Sequence, residues 1–569
     1  MINGMELLVG SNDGLYRFDL SSSSFDLIKN HFKNKNIEAI NVARNEIFIS
    51  VENALYKIQE NSIIKLNLAF KKIKSIGITK DDILLVGSFG DGLSQIDPYS
   101  LINHSKFAKK QNVQIKKSVN FKGDLFFATP NGLYSQKQNK FILNQNIFDI
   151  AVESNKYIWI ATQKGIFKYS KKGINKINLD SVNPEISVLS IEIDKMGRKW
   201  FGTMKGLIKF DDRNNKSDVF VYNTADGLIS NIIYDVCQVS GGIVTTSANG
   251  INYLKNYKKI NTFELSSDDY NSCIFDEDGD ALWVSTAQSG VKKIDLESGE
   301  IIESYSISNG LSNNEILNLS MDKNSNLWVS TDGGGISFFN GEVWGSLDSR
   351  DGLINNSVYD IYQNIDGKYI ISTNSGYSIY ERKETKSQLN LTQIIGANKK
   401  GKNYFAPEES KIYLNVHPID YITNTKKYIF RYSLGDQWIY SYGNSNIEID
   451  KIESGLYNLK LEYIDRDLNV SDTKTINLEV LKPWYMRKGI AIPLFGGIFI
   501  FFLSSIYFFY IYTRKRKHVE YLKEKDIKRQ FQELEEARNF QMGMLPDSTP
   551  SVLNLDIATH INTAEEVGG

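Results

Sequence analysis

The chain has 569 residues, with 66 Lys and Arg against 67 Asp and Glu and a net charge of −1, so no global field favours nucleic acid or an acidic substrate. Aromatics make up 12%, and 41 Gly accompany only 9 Pro, a mix that suits many short strands closed by glycine turns and points to an all-β body. Two cysteines, Cys237 and Cys273, are too few for a disulfide framework and lack metal-ligand spacing; they read as buried thiols, with a single disulfide as the alternative.

From the N-terminus one unit recurs: a short apolar strand, a small or polar residue, then Gly and a further apolar residue. It is found in LLVGSNDGLYRF (Leu7 to Phe18), LLVGSFGDGL (Leu84 to Leu93), LFFATPNGLY (Leu125 to Tyr134), IWIATQKGIF (Ile158 to Phe167) and KWFGTMKGLI (Lys199 to Ile208). It continues in GIVTTSANGI (Gly242 to Ile251), LWVSTAQSGV (Leu282 to Val291), LWVSTDGGGI (Leu327 to Ile336) and YIISTNSGYSI (Tyr369 to Ile379). A degenerate copy, IFISVENALY (Ile47 to Tyr56), has Ala54 where the turn glycine belongs. The unit predicts a hairpin, because alternating apolar residues make a half-buried strand and glycine allows the tight turn. Three copies carry a longer preamble, DGLISNIIYDV (Asp226 to Val236), NGLSNNEILNL (Asn309 to Leu319) and DGLINNSVYDI (Asp351 to Ile361), which supplies a further strand and fills a four-stranded blade. About ten copies at a period of about 40 residues fit propeller blades.

These repeats resemble the two-component-regulator propeller family over residues 1–383. Propellers close with about four to eight blades, so about ten copies are expected to form one seven-bladed ring and part of another. MINGMELLVGSNDGLYRF enters a repeat at once, without a basic or apolar leader, so the start of the array and any signal peptide are expected upstream. Trp159, Trp200, Trp283 and Trp328 share one repeat position and read as inter-blade core. Trp344 breaks that register in FFNGEVWGSLD (Phe338 to Asp348), is expected in a loop, and is the candidate ligand-binding residue.

After Glu381 the glycine period stops, and RKETKSQ (Arg382 to Gln388) reads as a polar linker. YIFRYSLGDQWIYSY (Tyr428 to Tyr442) and GLYNLKLEYID (Gly455 to Asp465) alternate strongly, so residues 389–483 are expected to form an antiparallel β-sandwich. Phe430, Tyr432, Leu434, Asp436 and Trp438, with the G-x-Y-x-L-x-(L/V) strand and the closing VLKPWYMRK, resemble the triple-tyrosine (Y_Y_Y) domain that follows such propellers. His417 and Asp420 read as surface loop.

Residues 489–513 contain no charge and, at about 1.5 Å per residue, are long enough to cross a hydrocarbon core of about 30 Å as a transmembrane helix. Arg514, Lys515, Arg516 and Lys517 outweigh Arg487 and Lys488, which puts the C-terminal side in the cytoplasm and the N-terminal side in the periplasm or outside the cell; the family resemblance implies a bacterial inner membrane. Trp484, Tyr485, Tyr510 and Tyr512 sit where interfacial anchors belong.

Residues 514–545 read as a signalling helix, with Ile527, Phe531 and Leu534 at i, i+4, i+7 as a short seam for a homodimer or a solvated linker. Beyond it, Ala537, Gln541, Leu545, Pro546, Pro550, Ala558, Ala564, Val567, Gly568 and Gly569 resemble the entry of SpoIIE-type metal-dependent Ser/Thr protein phosphatases, with Phe540, Met544 and Thr563 as departures. Residues 546–569 would be the start of that domain, and the resemblance places the first metal-binding Asp one residue past Gly569. No catalytic, cofactor or metal-binding residue is therefore assigned in this chain; Glu565 and Glu566 read as exposed, and two divalent cations, Mn or Mg, are expected in the phosphatase core of the parent.

The fold class is thus mainly β: propeller repeats, a sandwich, one transmembrane helix and a cytoplasmic helix. The function expected is a transmembrane receptor in which an extracytoplasmic ligand, glycan-like by family analogy, regulates a cytoplasmic phosphatase acting on a phosphoprotein. The alternative is the sensor half of a hybrid histidine kinase, although His518 and His560, the histidines after the span, lack the H-E-(L/I)-R-T context. A propeller lyase would need a cluster of His and acids, and the chain has 5 His. No nucleic acid partner is expected, because the basic cluster abuts the membrane span.

Overall fold

The computed structural model describes residues 6–558 except 29, 45, 60–61, 67–71, 80–82, 91, 99–100, 105, 108–109, 112, 214–216, 258, 278–279, 385–386, 421–422, 444, 545–547 and 549–552. The chain divides into two compact units, one of residues 1–404, 411–450 and 457–478, the other of 405–410, 451–456 and 479–569.

The first unit is built from the repeated hairpin, and its side chains explain the motif. A Thr ending the second strand of a blade donates its hydroxyl to the carbonyl of the turn glycine: Thr129 to Gly132 at 2.8 Å, Thr162 to Gly165 at 2.8 Å, Thr203 to Gly206 at 2.7 Å and Thr373 to Gly376 at 2.8 Å. The same oxygen accepts from a turn amide, as from Lys164 and Lys205, so one side chain closes both ends of the turn. Glycine is demanded at Gly206 twice over: φ is +115°, and a Cβ there would lie 2.1 Å from the Tyr222 carbonyl oxygen. In the copy with Ala54, Glu52 and Asn53 take the left-handed conformation instead, at φ 45° and 71°.

Seven such blades form a ring between residues 101 and 380. Blade 1 holds Lys117–Phe121, Asp124–Thr129, Gly132–Ser135 and Lys140–Leu143; blade 2 holds Ile147–Glu153, Tyr157–Thr162, Gly165–Ser170 and Gly173–Ile177. Blade 3 holds Val188–Ile193, Lys199–Thr203, Gly206–Asp211 and Asp218–Tyr222. Blades 4 and 5 are joined in one six-stranded sheet, because Lys259–Asp276 ends one blade and opens the next. Blade 4 starts at Asp235–Val239 and contains Gly242–Lys255, which doubles back so that Asn256 N reaches Gly241 O at 2.7 Å; blade 5 adds Ala281–Thr286, Val291–Ile294 and Ile301–Tyr305. Blade 6 holds Ile316–Met321, Leu327–Thr331, Ile336–Phe339 and Trp344–Leu347.

Blade 7 has three strands of its own, Val358–Gln363, Tyr369–Thr373 and Gly376–Tyr380, and takes its outer strand from Leu101–His104, far earlier in the chain. That pairing, Leu101 opposite Tyr380 and His104 opposite Tyr377, fixes both ends of the ring in one sheet. Blade 7 then packs on blade 1 through Ile370, Tyr377, Phe127 and Tyr134. Ahead of the ring, three further blade-like sheets cover Glu6–Leu27, Ile37–Leu66 and Ile73–Ile96, so the described residues hold ten units, seven of them in the ring.

The tryptophans at the shared repeat position are 1%, 0%, 4% and 2% exposed at Trp159, Trp200, Trp283 and Trp328, and fill the space between blades. The indole nitrogens of Trp159, Trp200 and Trp328 are satisfied by Glu153, Asp194 and Asp322 at 2.8–2.9 Å. The cysteines depart from the expected thiols. Cys237 and Cys273 lie on the inner strands of blades 4 and 5 with Cα atoms 5.9 Å apart, and they form a disulfide. Blade adjacency, which spacing in the sequence does not reveal, brings them together.

The sandwich follows the linker. One sheet orders Gln388–Ile395, Ile412–Ile419 and Asn446–Ile449; the other sets Ile439–Tyr442 beside Ile429–Ser433 and that beside Gly455–Ile464. Alternate residues Leu414, Val416, Phe430, Tyr432, Leu459, Leu461 and Tyr463 are buried, as period-two strands require. His417 is on an exposed strand position rather than a loop, and Asp420 accepts the Tyr463 hydroxyl. Blades 6 and 7 share a core with this sandwich through Phe338, Leu347, Tyr380, Ile429, Ile464 and Leu468.

In the second unit the span and the signalling segment are one α-helix, Lys488–Gly543, of 56 residues, not two elements. No proline follows Pro493 in either the uncharged stretch or the charged one, so every later residue keeps its backbone N–H for the helix. It is the one described helix long and apolar enough to cross a membrane. Its charged half carries the pairs Arg516–Glu520 and Arg529–Glu533 at i, i+4, and Ile527, Phe531 and Leu534 are exposed.

Candidate functional site

Two cavities of the first unit bear chemistry. The first, about 380 Å³, lies where the inner strands of the ring converge and is lined by residues of six blades, including Lys117, Glu192, Asp235, Asn318 and Asp360. In five blades the inner strand shifts register just before a polar residue, at Asp149, Ser190, Ser272, Asn318 and Asp360. Bulges re-aim side chains, and here they aim carboxylates at the neighbouring blade. Asp149 accepts Ile191 N at 2.7 Å, Asp235 accepts Cys273 N at 3.2 Å and Ser272 Oγ at 2.9 Å, and Asp360 accepts Ser118 N at 3.0 Å. The last of these ties blade 7 to blade 1.

Lys117 is the cation of this cavity, with Nζ 2.7 Å from Asp149 Oδ1. Burial pushes Asp235 and Asp360 up to about 6 and Glu192 up to about 8, against the opposing pull of Lys117. For Lys117 desolvation lowers the value, but the carboxylates of Asp149, Asp360 and Asp235 outweigh it and hold the ammonium protonated. The aspartates are spent on backbone amides and on each other's blades, so the cavity is a polar girdle rather than a set of poised catalytic groups. Among the described residues no group of His, Cys, Asp and Glu is arranged to hold a metal ion.

The second cavity, about 120 Å³, is lined by Trp344, Gly310, Lys427, Tyr428, Asp465 and Arg466 among others, and so lies between blade 6 and the sandwich. Trp344 is on a strand, Trp344–Leu347, and not in the loop expected from its neighbours; it is 4% exposed. Its ring stacks on Phe339 at 4.8 Å and meets Tyr305 edge-on at 5.2 Å, in the core between blades 5 and 6. The off-register position puts the indole at the outer edge of the blade, where the sandwich begins.

A buried ion network surrounds this cavity. Lys427 reaches Asp351 and, at 3.0 Å, Asp348; Arg466 Nε holds Asp467 at 2.9 Å; and Tyr380 donates to Asp467 at 2.7 Å. Arg350 and Lys427 hold the Asp348 carboxyl well below the usual range despite burial. Asp348 and Asp351 form the capping box of the loop whose sequence, DGL, marks the repeat, so the motif itself supplies the anchor for the sandwich. Sequence reading missed Arg466, Asp467 and Lys427; their one signal was an IDRD run (Ile464 to Asp467) at a strand end, which is ordinary on a surface.

Of the phosphatase-like residues, Ala537 and Gln541, with Phe540, lie on the long helix; Met544 caps its end, and Ala558 follows it. Leu545, Pro546, Pro550, Thr563, Ala564, Glu565, Glu566, Val567, Gly568, Gly569 and His560 lie outside the described residues.

The model of the two-component regulator propeller family matches residues 310–333, the entry and first hairpin of blade 6. No curated protein sequence matches the chain. Among solved structures, the chain is similar to the extracellular domain of BT3049 from B. thetaiotaomicron, described as a hybrid two-component system, at 16% identity over 84% of this chain and 77% of that one, with a TM-score of 0.51. The extracellular domain of BT4673 from the same organism, described as a one-component system, aligns at 17% identity over 84% of this chain and 74% of that one, with a TM-score of 0.43. The chain therefore carries a two-component-regulator propeller repeat and shares its fold with the extracellular domain of BT3049.

Proposed function

We propose that the chain is the sensing and membrane-spanning part of a single-pass receptor of a bacterial inner membrane. The propeller and sandwich lie outside the cytoplasm and take a ligand, glycan-like by analogy, and the helix Lys488–Gly543 carries the signal to a metal-dependent Ser/Thr phosphatase core of the parent protein, whose substrate is a phosphoprotein. The observation that carries this reading is the unbroken helix joining an uncharged span to Ala537 and Gln541 of the phosphatase-like entry. Two further features support the orientation. The Arg514 to Lys517 cluster follows the span, and the Cys237–Cys273 disulfide belongs in an oxidising compartment. A stiff helix transmits a shift only if ligand binds its two states unequally, and a homodimer seam at Ile527, Phe531 and Leu534 would provide two states.

The second reading, a hybrid two-component histidine kinase, is favoured by the family of the matched repeat and by the description of BT3049. A reporter active only in the cytoplasm and fused after Lys517 is expected to be active; silence would reverse the topology. For the output, the parent's coding sequence after Gly569 is expected to open with Asp-x-x-Asp and to confer Mn-dependent release of phosphate from phosphoprotein. A phosphoacceptor His motif there would replace the phosphatase with the kinase.

A further inference from the structure

Two residues that line the cavity carry buried donors with no partner among the described residues: Trp344 through its indole Nε1 and Arg466 through Nη2. Each residue is 4% exposed. Elsewhere in the ring, the indoles of Trp159, Trp200 and Trp328 each find a carboxylate. An indole N–H and a guanidinium donate and never accept, so what they lack is an acceptor. Leaving such a donor unmet costs about 1–3 kcal/mol, which makes two in one small cavity a strong demand.

The walls favour an anionic acceptor. Asp465 already accepts from the amides of Asp467 and Asn469. Lys427 and Arg466 are balanced by Asp348, Asp351 and Asp467, whereas Lys426 on the same wall is exposed and pairs with no described carboxylate. Gly310 packs against the indole: a Cβ there would stand 2.7 Å from Trp344 Cδ1, so the bare backbone is what allows this approach. At about 120 Å³ the cavity is the smaller of the two and has room for a carboxylate with its first carbons.

We propose that this cavity binds the carboxylate of a small ligand or of a ligand's terminal group. One oxygen takes the indole N–H of Trp344, the other takes Nη2 of Arg466, and Lys426 offsets the charge at the mouth. The proposal deepens the sensor reading, on which it rests only in treating the carboxylate as part of the signal.

The test uses the full chain in detergent, labelled with 5-fluorotryptophan, and sodium acetate as the probe at constant ionic strength. The fluorine resonance assigned to Trp344 by its loss in Trp344→Phe is expected to shift and saturate. The thermal midpoint is expected to rise with acetate, and both Trp344→Phe and Lys426→Glu are expected to weaken that response about tenfold. Lys426 is exposed, so its variant folds even if the tryptophan variant does not. No saturable shift, an equal shift with chloride or sulfate, or an unaltered response in Lys426→Glu would overturn the proposal. That failure would leave the topology reporter active and the receptor reading intact, while a silent reporter would leave acetate binding unchanged.

Discussion

Replacing both cysteines, Cys237→Ala with Cys273→Ala, isolates the covalent tie between blades 4 and 5. The bridge closes a loop with a sequence separation of 36. Loop-closure entropy for that length gives about 4 kcal/mol at 25 °C, and native disulfides in practice contribute about 2–4 kcal/mol. Both residues are buried, at 8% and 5%, so truncation also leaves a small gap worth about 1 kcal/mol. The expected loss is therefore about 3–5 kcal/mol, reached without breaking the side-chain hydrogen bond from Ser272 to Asp235 across the same interface. Equilibrium urea unfolding of the full chain in detergent, followed by tryptophan fluorescence, measures it. Reductant should reproduce most of the loss in the wild type and do nothing to the double variant. Equal midpoints for wild type and variant, with no effect of reductant and with two thiols titrating in denaturant, would refute the bridge and withdraw the compartment argument built on it.

Other perturbations have defined signs. Gly206→Ala should destabilise by well over ~1 kcal/mol, because φ is +115° and the new Cβ would sit 2.1 Å from the Tyr222 carbonyl; Gly173→Ala, open around its Cβ but also at positive φ, should cost less, and equal midpoints on thermal melting would count against the close approach. Leu101→Asp places a charge on a strand position that is 4% exposed and opposite Tyr380, so the ring should open at blade 7, read as a gain in proteolytic cleavage near residue 101 and a stability loss of about 3–5 kcal/mol; unchanged protection would mean that the ring does not depend on this strand. Glu192 has a folded value near 8, raised chiefly by burial, so the native state holds its proton while the unfolded chain has lost it. The contribution of Glu192 to stability should fall as pH rises from about 4.5 through 8, by up to about 1.4 kcal/mol per pH unit, and Glu192→Gln should flatten the part of the slope above about 6, leaving the Asp235 and Asp360 titrations near 6; identical pH profiles for the two proteins would refute the assignment.

Much of this architecture is legible in the residues. The glycine turn announces itself in the repeat, while the hydroxyl that closes it, as at Thr162 and Thr203, is a finding of the structure; the repeated Trp is legible as core because it recurs where blades stack. The uncharged run and the basic cluster after it needed no coordinates. Trp344 was harder. Its departure from the repeat register was visible, but the sequence neighbours Asn340 and Gly341 suggested a loop, whereas the chain turns there and returns as the outer strand of the blade. The ion network of Asp351, Lys427, Arg466 and Asp467 left almost no trace, because charged residues at strand ends are usually solvated and only the docking of the sandwich buries these.

Local patterning by itself determined the unit, its number and the order of ring, sandwich and span, because hairpin geometry and membrane thickness act over ten to thirty residues. Tertiary structure alone decided where the ring closes. Leu101–His104 joins Gly376–Tyr380 across some 270 residues, Cys237 meets Cys273 across a blade boundary, and Asp360 reaches Ser118 to seal the circle. Each is a contact between segments with no local signal for each other, fixed only when seven inner strands converge on one axis.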